Sequence, residues 1–323
     1  MKVLVAGAGG FIGGHLVNRL IKDGNSVIAV DVKPLKYWYQ TNEKSRNLTY
    51  DLSLLNSCLE VTKSVDHVYN LAADMGGMGF IENNKALCML SSLINTHLLL
   101  ASRNNNVKRY FFSSSACVYA SWHQVKFGEN ALKENDAYPA DPEDGYGWEK
   151  LFSERMCRHF EEDFGLEVRI ARFHNIYGPY GTYSGGREKA PAAACRKVLE
   201  CIEKNFSIPL KIWGDGKQIR SFTYIDDCID GICKIMKSNF SNPLNLGSSE
   251  ITSIENLYRQ VIEISGASSE LFMFDYEVDA PKGVNGRSSD NALIKQVLNW
   301  EPSITLKSGL KTTFEWIKSD IRK

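Results

Sequence analysis

The chain opens with a short apolar run, Lys2 to Ala6, that breaks into glycines at Gly7, Gly10 and Gly13, and a second apolar run, Ser26 to Asp31, ends on an acid. Few sequences are so constrained. The first run reads as a buried strand, and glycines at this spacing let the following turn come close to a ligand before a helix starts. Backbone N–H groups at that helix start suit a pyrophosphate, because the helix N-terminus carries partial positive charge. Asp31 then stands where a carboxylate accepts hydrogen bonds from both hydroxyls of an adenosine ribose and repels a phosphate on it, which points to NAD rather than NADP. Asp51, after Tyr50 at another strand end, is the candidate partner of the adenine amino group.

Composition excludes several other classes. In 323 residues, Lys plus Arg and Asp plus Glu are 38 each, so the chain has neither the basic excess of a nucleic-acid binder nor a polybasic membrane patch. Hydrophobic residues make up 43 %, enough for a sizeable core. The N-terminus runs straight into a strand with no signal-like apolar region, and no apolar run approaches the roughly eighteen residues of a membrane span. The expectation is a cytoplasmic protein. Its eight cysteines include no Cys-x-x-Cys pair, so they read as small core residues and the chain as holding no metal.

Strand-like and helix-like patterns alternate along the chain. Residues 2–6, 26–31, 67–71, 109–113 and 167–172 read as buried strands, and 13–23, 83–103 and 146–164 as helices between them. This predicts an α/β fold, a Rossmann-type doubly wound parallel sheet with a smaller C-terminal substrate-binding lobe. The glycine-rich stretch from Gly178 to Arg187, followed by a helix over 192–205, marks the change of character. The domain expectation is a dinucleotide-binding unit over 1–175 with a return segment at about 221–250, and a lobe built from 176–220 and 251–323.

Tyr146-Gly-Trp-Glu-Lys150 heads a predicted helix, and four residues is just over one turn, so phenol and ammonium share a face. A nearby cation favours the phenolate and makes the Tyr a usable general acid and base. Upstream, Ser113-Ser-Ser-Ala-Cys-Val-Tyr119 lies at a strand end, where hydroxyls reach a ligand. With the glycine turn, this set resembles the extended short-chain dehydrogenase/reductase family. Longer blocks narrow the resemblance: Ala72-Ala-Asp-Met-Gly-Gly-Met-Gly-Phe80, Arg172-Phe-His-Asn-Ile-Tyr-Gly-Pro179, Gly185-Gly-Arg-Glu-Lys-Ala-Pro-Ala-Ala193, Trp213-Gly-Asp-Gly216 and Arg220-Ser-Phe-Thr223 are similar to the GDP-mannose 3,5-epimerases. The chain departs from them in the helix after Phe80, which reads Cys88-Met-Leu-Ser-Ser, and at Asn285, where the plant-type motif has an Arg.

That resemblance implies NAD-dependent oxidation at carbon 4 of a nucleotide-linked hexose, inversion at carbons 3 and 5, and re-reduction. It implies Tyr146 as the group that takes the hydroxyl proton, Lys150 on the nicotinamide ribose, Ser115 on the carbon 4 oxygen, and Cys117 and Lys189 as acid and base on opposite faces of the sugar. Phe11, Ile12, Leu71 and Ala73 join the glycines, Asp31 and Asp51 around NAD. Gly76, Ala116 and Glu188 meet the hexose region, and Asn175, Lys197, Gln218, Arg220 and Arg287 the rest of the nucleotide sugar, where Arg forks suit a diphosphate. His174 reads as structural. The resemblance also implies a homodimer through the helices over 83–103 and 146–164, and Trp148, Leu151, Phe152, Met156 and Phe160 supply apolar surface for it. No nucleic-acid or membrane partner is expected. Three relatives in reaction type compete. A 4,6-dehydratase needs an acid/base pair, Asp-Glu or Ser-Glu, where this chain has Ala116-Cys117, a UDP-hexose 4-epimerase leaves Cys117 and Lys189 unexplained, and a GDP-fucose synthase-like enzyme pairs its Cys with a His and uses NADPH. Epimerases of a related GDP-sugar or GDP-heptose, and a non-catalytic NAD-binding regulator, are the remaining alternatives.

Overall fold

The computed structural model describes residues 1–125, 131–280 and 283–322. The first half alternates β1 (Lys2–Ala6), α1 (Phe11–Lys22), β2 (Ser26–Asp31), β3 (Arg46–Thr49), α2 (Leu55–Val61), β4 (His67–Asn70), α3 (Met78–Asn83), α4 (Lys85–Asn104), β5 (Arg109–Ser115), α5 (Asp144–Phe164) and β6 (Glu167–Phe173). After it come β7 (Ile176–Tyr177), α6 (Ala190–Glu203), β8 (Leu210–Trp213), β9 (Ile219–Ser221), β10 (Thr223–Tyr224), α7 (Ile225–Lys237) and β11 (Leu244–Leu246). The chain ends with β12 (Ile251–Ser253), α8 (Ile254–Ser265), β13 (Phe274–Glu277), β14 (Gly286–Arg287), α9 (Ala292–Leu298) and α10 (Leu306–Ile321). Seven strands form one parallel sheet in the order β11-β6-β5-β4-β1-β2-β3. The order reverses between β1 and β4, which opens a crevice at the carboxyl ends of those strands.

Strand alternation divides the core into two layers. Val3, Val5, Val27, Ala29 and Phe111 pack on one face of the sheet, and Leu4, Ala6, Ile28, Val30, Tyr110 and Phe112 on the other. Such strands carry continuous apolar runs because both faces are covered. Full burial stabilises by about 1.5–3 kcal/mol for each large apolar side chain. The first layer continues without a break into Val198, Leu199, Leu257, Val261, Leu310 and Phe314 of α6, α8 and α10. The C-terminal residues also form two small sheets, β12-β9-β14 and β13-β8.

Two expectations need correction. The helix expected over 83–103 is interrupted at Asn84, and α4 begins at Lys85. At 20 residues and a mean hydropathy of 1.2, α4 is long and apolar enough to cross a membrane. It is instead the crossover between parallel strands β4 and β5, with Cys88, Asn95, Leu98, Leu99 and Ala101 buried. On α5, Trp148 and Phe152 are exposed together with Leu87, Leu90 and Leu93 of α4. Leu151 and Phe160 are not surface residues, because they face inward and join the core, and Met156 packs partly against it.

Candidate active site

Backbone contacts bring the sequence motifs together. β5 ends at Ser115, whose Oγ accepts a hydrogen bond from Cys117 N at 3.2 Å and so caps the single 3-10 turn Ala116–Val118. The Cys117 carbonyl then accepts from Glu143 N at 2.9 Å, fixing the residue that precedes α5. Gly147 makes this approach possible: a Cβ there would stand 2.3 Å from the Cys117 carbonyl oxygen. Tyr146 and Lys150 are consequently held against the Ser115 turn, with Lys150 Nζ 5.6 Å from the Tyr146 ring centroid and 4.8 Å from that of Phe112. Lys150 is buried and sits 3.4 Å from the Glu149 carboxylate, which Ser153 also bonds at 2.9 Å.

A second convergence closes the pocket. Gly77 N donates to the Arg187 carbonyl at 3.0 Å, and a Cβ on Gly77 would lie 2.4 Å from the Glu188 carbonyl oxygen. Arg187 bonds Asp74 at 2.7 Å and stacks 3.6 Å over the Phe80 ring. Gly76 is as tightly held, since a Cβ there would meet Phe80 at 2.8 Å. Lys189 follows as the residue before α6, and its charge interacts with Cys117, Glu143, Arg287 and Arg220. Glu188 accepts from Gly186 N at 2.7 Å and pairs with Arg196 at 3.3 Å.

The electrostatics differ in part from the sequence reading. Lys189 is lowered, as a Lys in a desolvated cleft should be, chiefly by burial and against the pull of Cys117. Burial and the neighbouring Glu143 carboxylate hold the Cys117 thiol above the ordinary value, although Arg287, Lys189 and a Ser115 hydrogen bond oppose them. Tyr146 is likewise pushed up by burial and by Cys117 and Glu149, with a Ser115 hydrogen bond pulling the other way. The cation at i+4 is thus outweighed in this state by loss of water around the phenol.

The remaining substrate candidates fall in two groups. Arg287 on β14 lies beside Arg220 on β9, and its fork is committed at the reacting end of the pocket: Nε to Gln124 at 2.6 Å, one terminal nitrogen to Cys117 Sγ at 3.4 Å and the other to Glu143 at 2.7 Å. These three bonds engage three of its five N–H groups. Burial lowers Arg220 to about 10, and the Arg287 charge adds to this. Asn175 adopts a left-handed backbone, with φ 45°, and bonds the Ser221 carbonyl at 3.0 Å. Lys197 donates to the Lys211 carbonyl at 2.7 Å. Gln218 donates to the Trp213 carbonyl at 3.1 Å, and its buried Oε1 has no partner among the described residues. His174 is structural as read, with Nε2 2.8 Å from Asn245 Oδ1 in the core.

Sequence reading missed Glu143 and Gln124. Glu143 stands one helical turn before Tyr146, a spacing that carried a signal. Gln124 lies 163 positions from Arg287, and nothing local links them.

The crevice between β1 and β4 fits a dinucleotide. Gly7 has φ 80°, and a Cβ on it would meet the Leu71 and Ala72 backbone at 2.9 Å. A Cβ on Gly13 would stand 2.1 Å from the Gly7 carbonyl oxygen, so α1 starts where only glycine fits. Gly10 precedes that helix, with Phe11 and Ile12 in its first turn. Asp31, at the end of β2, is buried and accepts from Gly9 N and Lys33 N, each at 3.0 Å. Leu71 and Ala73 flank the crevice after β4 and stay partly exposed. Asp51 is exposed and accepts from Ser53 N at 2.9 Å.

A dinucleotide crevice at the switch point of a parallel sheet, with a Ser, a Tyr and a Lys clustered at the end of β5, defines an oxidoreductase-type site in an α/β enzyme. The chain belongs to the NAD dependent epimerase/dehydratase family, whose model matches residues 3–247. It is 45 % identical to GDP-mannose 3,5-epimerase of Arabidopsis thaliana over 324 residues, which cover 100 % of this chain and 84 % of that one. Among solved structures, UDP-glucuronic acid 4-epimerase of Bacillus cereus, in complex with UDP-glucuronic acid and NAD, superposes with a TM-score of 0.81 at 26 % identity, covering 99 % of each chain. UDP-glucose 4-epimerase of Thermotoga maritima shares the fold, with a TM-score of 0.85 at 24 % identity, over 99 % of this chain and 100 % of that one. The protein is an NAD-dependent nucleotide-sugar epimerase, an isomerase.

Proposed function

We propose that the protein inverts carbons 3 and 5 of a GDP-linked hexose, with GDP-mannose as the substrate. The observation that carries this reading is the thiol of Cys117 in electrostatic contact with the amine of Lys189, inside the pocket that also holds Ser115 and Tyr146. A 4-epimerase needs no such second pair. Identity of 45 % to a named GDP-mannose 3,5-epimerase supports the same substrate.

NAD supplies a reversible two-electron oxidation of the carbon 4 hydroxyl to a ketone, which acidifies the hydrogens at carbons 3 and 5. Tyr146 takes the hydroxyl proton and later returns it, while Ser115 bonds the same oxygen. Lys150, paired with Glu149, would hold the nicotinamide ribose and Asp31 the adenosine ribose, with Gly7, Gly10 and Gly13 at the pyrophosphate. Cys117 and Lys189 then exchange protons with the carbons beside the ketone from opposite faces. Gly76 and Glu188 border the hexose, and Asn175, Lys197, Gln218 and Arg220 the nucleotide. In this reading residues 1–175 with the return segment carry the cofactor, and the lobe from 176–220 and 251–323 carries the nucleotide.

The decisive experiment incubates the enzyme with a panel of GDP-sugars in deuterated water and reads label by NMR. Deuterium at carbons 3 and 5 of GDP-mannose supports the assignment, and conversion at carbon 4 without such label refutes it. We further propose a homodimer in which Leu87, Leu90, Leu93, Trp148 and Phe152 pair as a four-helix bundle. A cytoplasmic location accords with eight cysteines that are all unpaired.

A further inference from the structure

Two backbone segments meet at the edge of the pocket, and one arginine ties them together from outside. Gly77 N donates to the Arg187 carbonyl at 3.0 Å, which joins the turn before α3 to the segment that carries Lys189 two residues later. The Arg187 side chain folds back over the same turn, where one terminal nitrogen bonds Asp74 Oδ1 at 2.7 Å and the Met75 carbonyl at 3.1 Å, and the guanidinium lies 3.6 Å from the Phe80 ring centroid. Met75 and Phe80 pack in turn against the cluster of Cys117 and Tyr146. Asp74 is anchored as well, since its N–H donates to Ser91 Oγ of α4 at 3.0 Å. Further along α3, a Cβ on Gly79 would stand 2.9 Å from the Trp213 ring of β8, a second point of contact. The turn and α3 therefore cover the reacting side chains, and Arg187 is the cation that fastens this cover to the Lys189 segment. Its hold is light. The Arg187 and Asp74 side chains keep 45 % and 42 % of their surface exposed, and wet ion pairs and cation–π contacts are weak singly. A joint of this kind can open for a ligand and close behind it.

We propose that Arg187 is a positioning residue that latches the turn before α3 to the Lys189 segment, keeping the pocket shut while the sugar is oxidised, so that the ketone is inverted and reduced rather than lost. The proposal rests on the carbon 4 oxidation of the preceding section. In that step carbon 4 gives a hydride to NAD and its hydroxyl proton to Tyr146, and the ketone must stay for the hydride to come back. A ketone that escapes leaves one NADH on the enzyme for each oxidised sugar in solution. Turnover then stops, because that hydride has no acceptor. Closing a site over a reactive intermediate prevents this kind of loss. Arg187 suits the task because it spans the joint itself: its backbone carbonyl holds Gly77, and its side chain holds Asp74, Met75 and Phe80.

The test mixes the NAD-loaded, full-length enzyme with GDP-mannose, follows NADH absorbance, and counts free keto-sugar in the filtrate by NMR. Arg187→Ala should raise the NADH left per inversion about tenfold over wild type, the worth of a wet ion pair and a ring stack lost together. One keto-sugar should appear in the filtrate for each NADH. Asp74→Asn, which keeps the shape of the side chain, should raise the leak less, and the double variant should leak no more than Arg187→Ala alone, because both act on one joint. Loss of packing without a latch would slow turnover in the variants yet leave NADH per inversion at the wild-type ratio. That result, or leaks from the two single variants that multiply in the double, overturns the proposal. Failure of the underlying reading looks different: wild type and variants alike would then form no NADH with GDP-mannose.

Discussion

Replacing Gly13 by Ala tests whether the crevice holds NAD as its geometry requires. The added methyl would stand 2.1 Å from the Gly7 carbonyl oxygen and 2.8 Å from both the Gly7 carbonyl carbon and Ala8 Cα. All three are backbone atoms, so no rotamer change relieves the contact, and the turn must part from α1 by roughly 1 Å to reach ordinary packing. In the proposed NAD complex the turn and the helix start would supply the N–H donors to the pyrophosphate. Hydrogen bonds to charged groups contribute about 1.5–3 kcal/mol each, so lengthening one or two by that distance costs about 3 kcal/mol, or roughly a hundredfold in Kd. Isothermal titration with NAD measures the change, and urea unfolding of the ligand-free variant separates it from the overpacking cost of about 1–3 kcal/mol. A Gly185→Ala control, where φ is 85° but nothing lies within 4 Å, reports backbone strain without the clash. A folded Gly13→Ala protein that binds NAD within a few-fold of wild type would refute the reasoning.

Tyr146→Phe should abolish deuterium exchange into the sugar, because carbons 3 and 5 are not acidic until the ketone exists, while Cys117→Ala and Lys189→Ala should each slow inversion by roughly 10²–10⁴-fold yet leave oxidation at carbon 4 intact. Single-turnover NMR distinguishes the two behaviours, and equal effects from all three would argue against separate roles. Phe152→Glu combined with Trp148→Glu should reduce the mass by light scattering from two chains to one; a variant that keeps the dimer mass would move the interface elsewhere. His174 is held down to about 3 by burial, and its Nδ1 has no partner among the described residues. The unfolded chain therefore binds a proton near pH 6.5 that the native state refuses, so stability is full above that pH and falls by about 1.4 kcal/mol per pH unit as the pH drops from 6.5 towards 3. Urea titrations at pH 7 and 5 should show this loss in wild type and a smaller one in His174→Gln; equal losses would mean that His174 is not the responsible group.

Features that depend on near neighbours were legible before any coordinates. The strands of the parallel sheet carry unbroken apolar runs because both faces are covered, and the Gly7, Gly10 and Gly13 spacing follows from a turn that must touch a ligand. Tyr146 and Lys150 share a helix face by periodicity alone. The side of a helix that meets water was not legible, because several apolar rows compete for one sheet: Leu151 and Phe160 went inward, while Trp148 and Phe152 stayed out. Charge in the pocket was set at longer range still. Arg287 reaches Cys117 across 170 positions and Glu143 across 144, and their ionisation depends on burial and on who shares whose hydrogen bonds. Sequence could nominate a reactive thiol and a nearby cation as types. Only folding placed the Glu143 carboxylate and the Cys117 thiol on the same guanidinium.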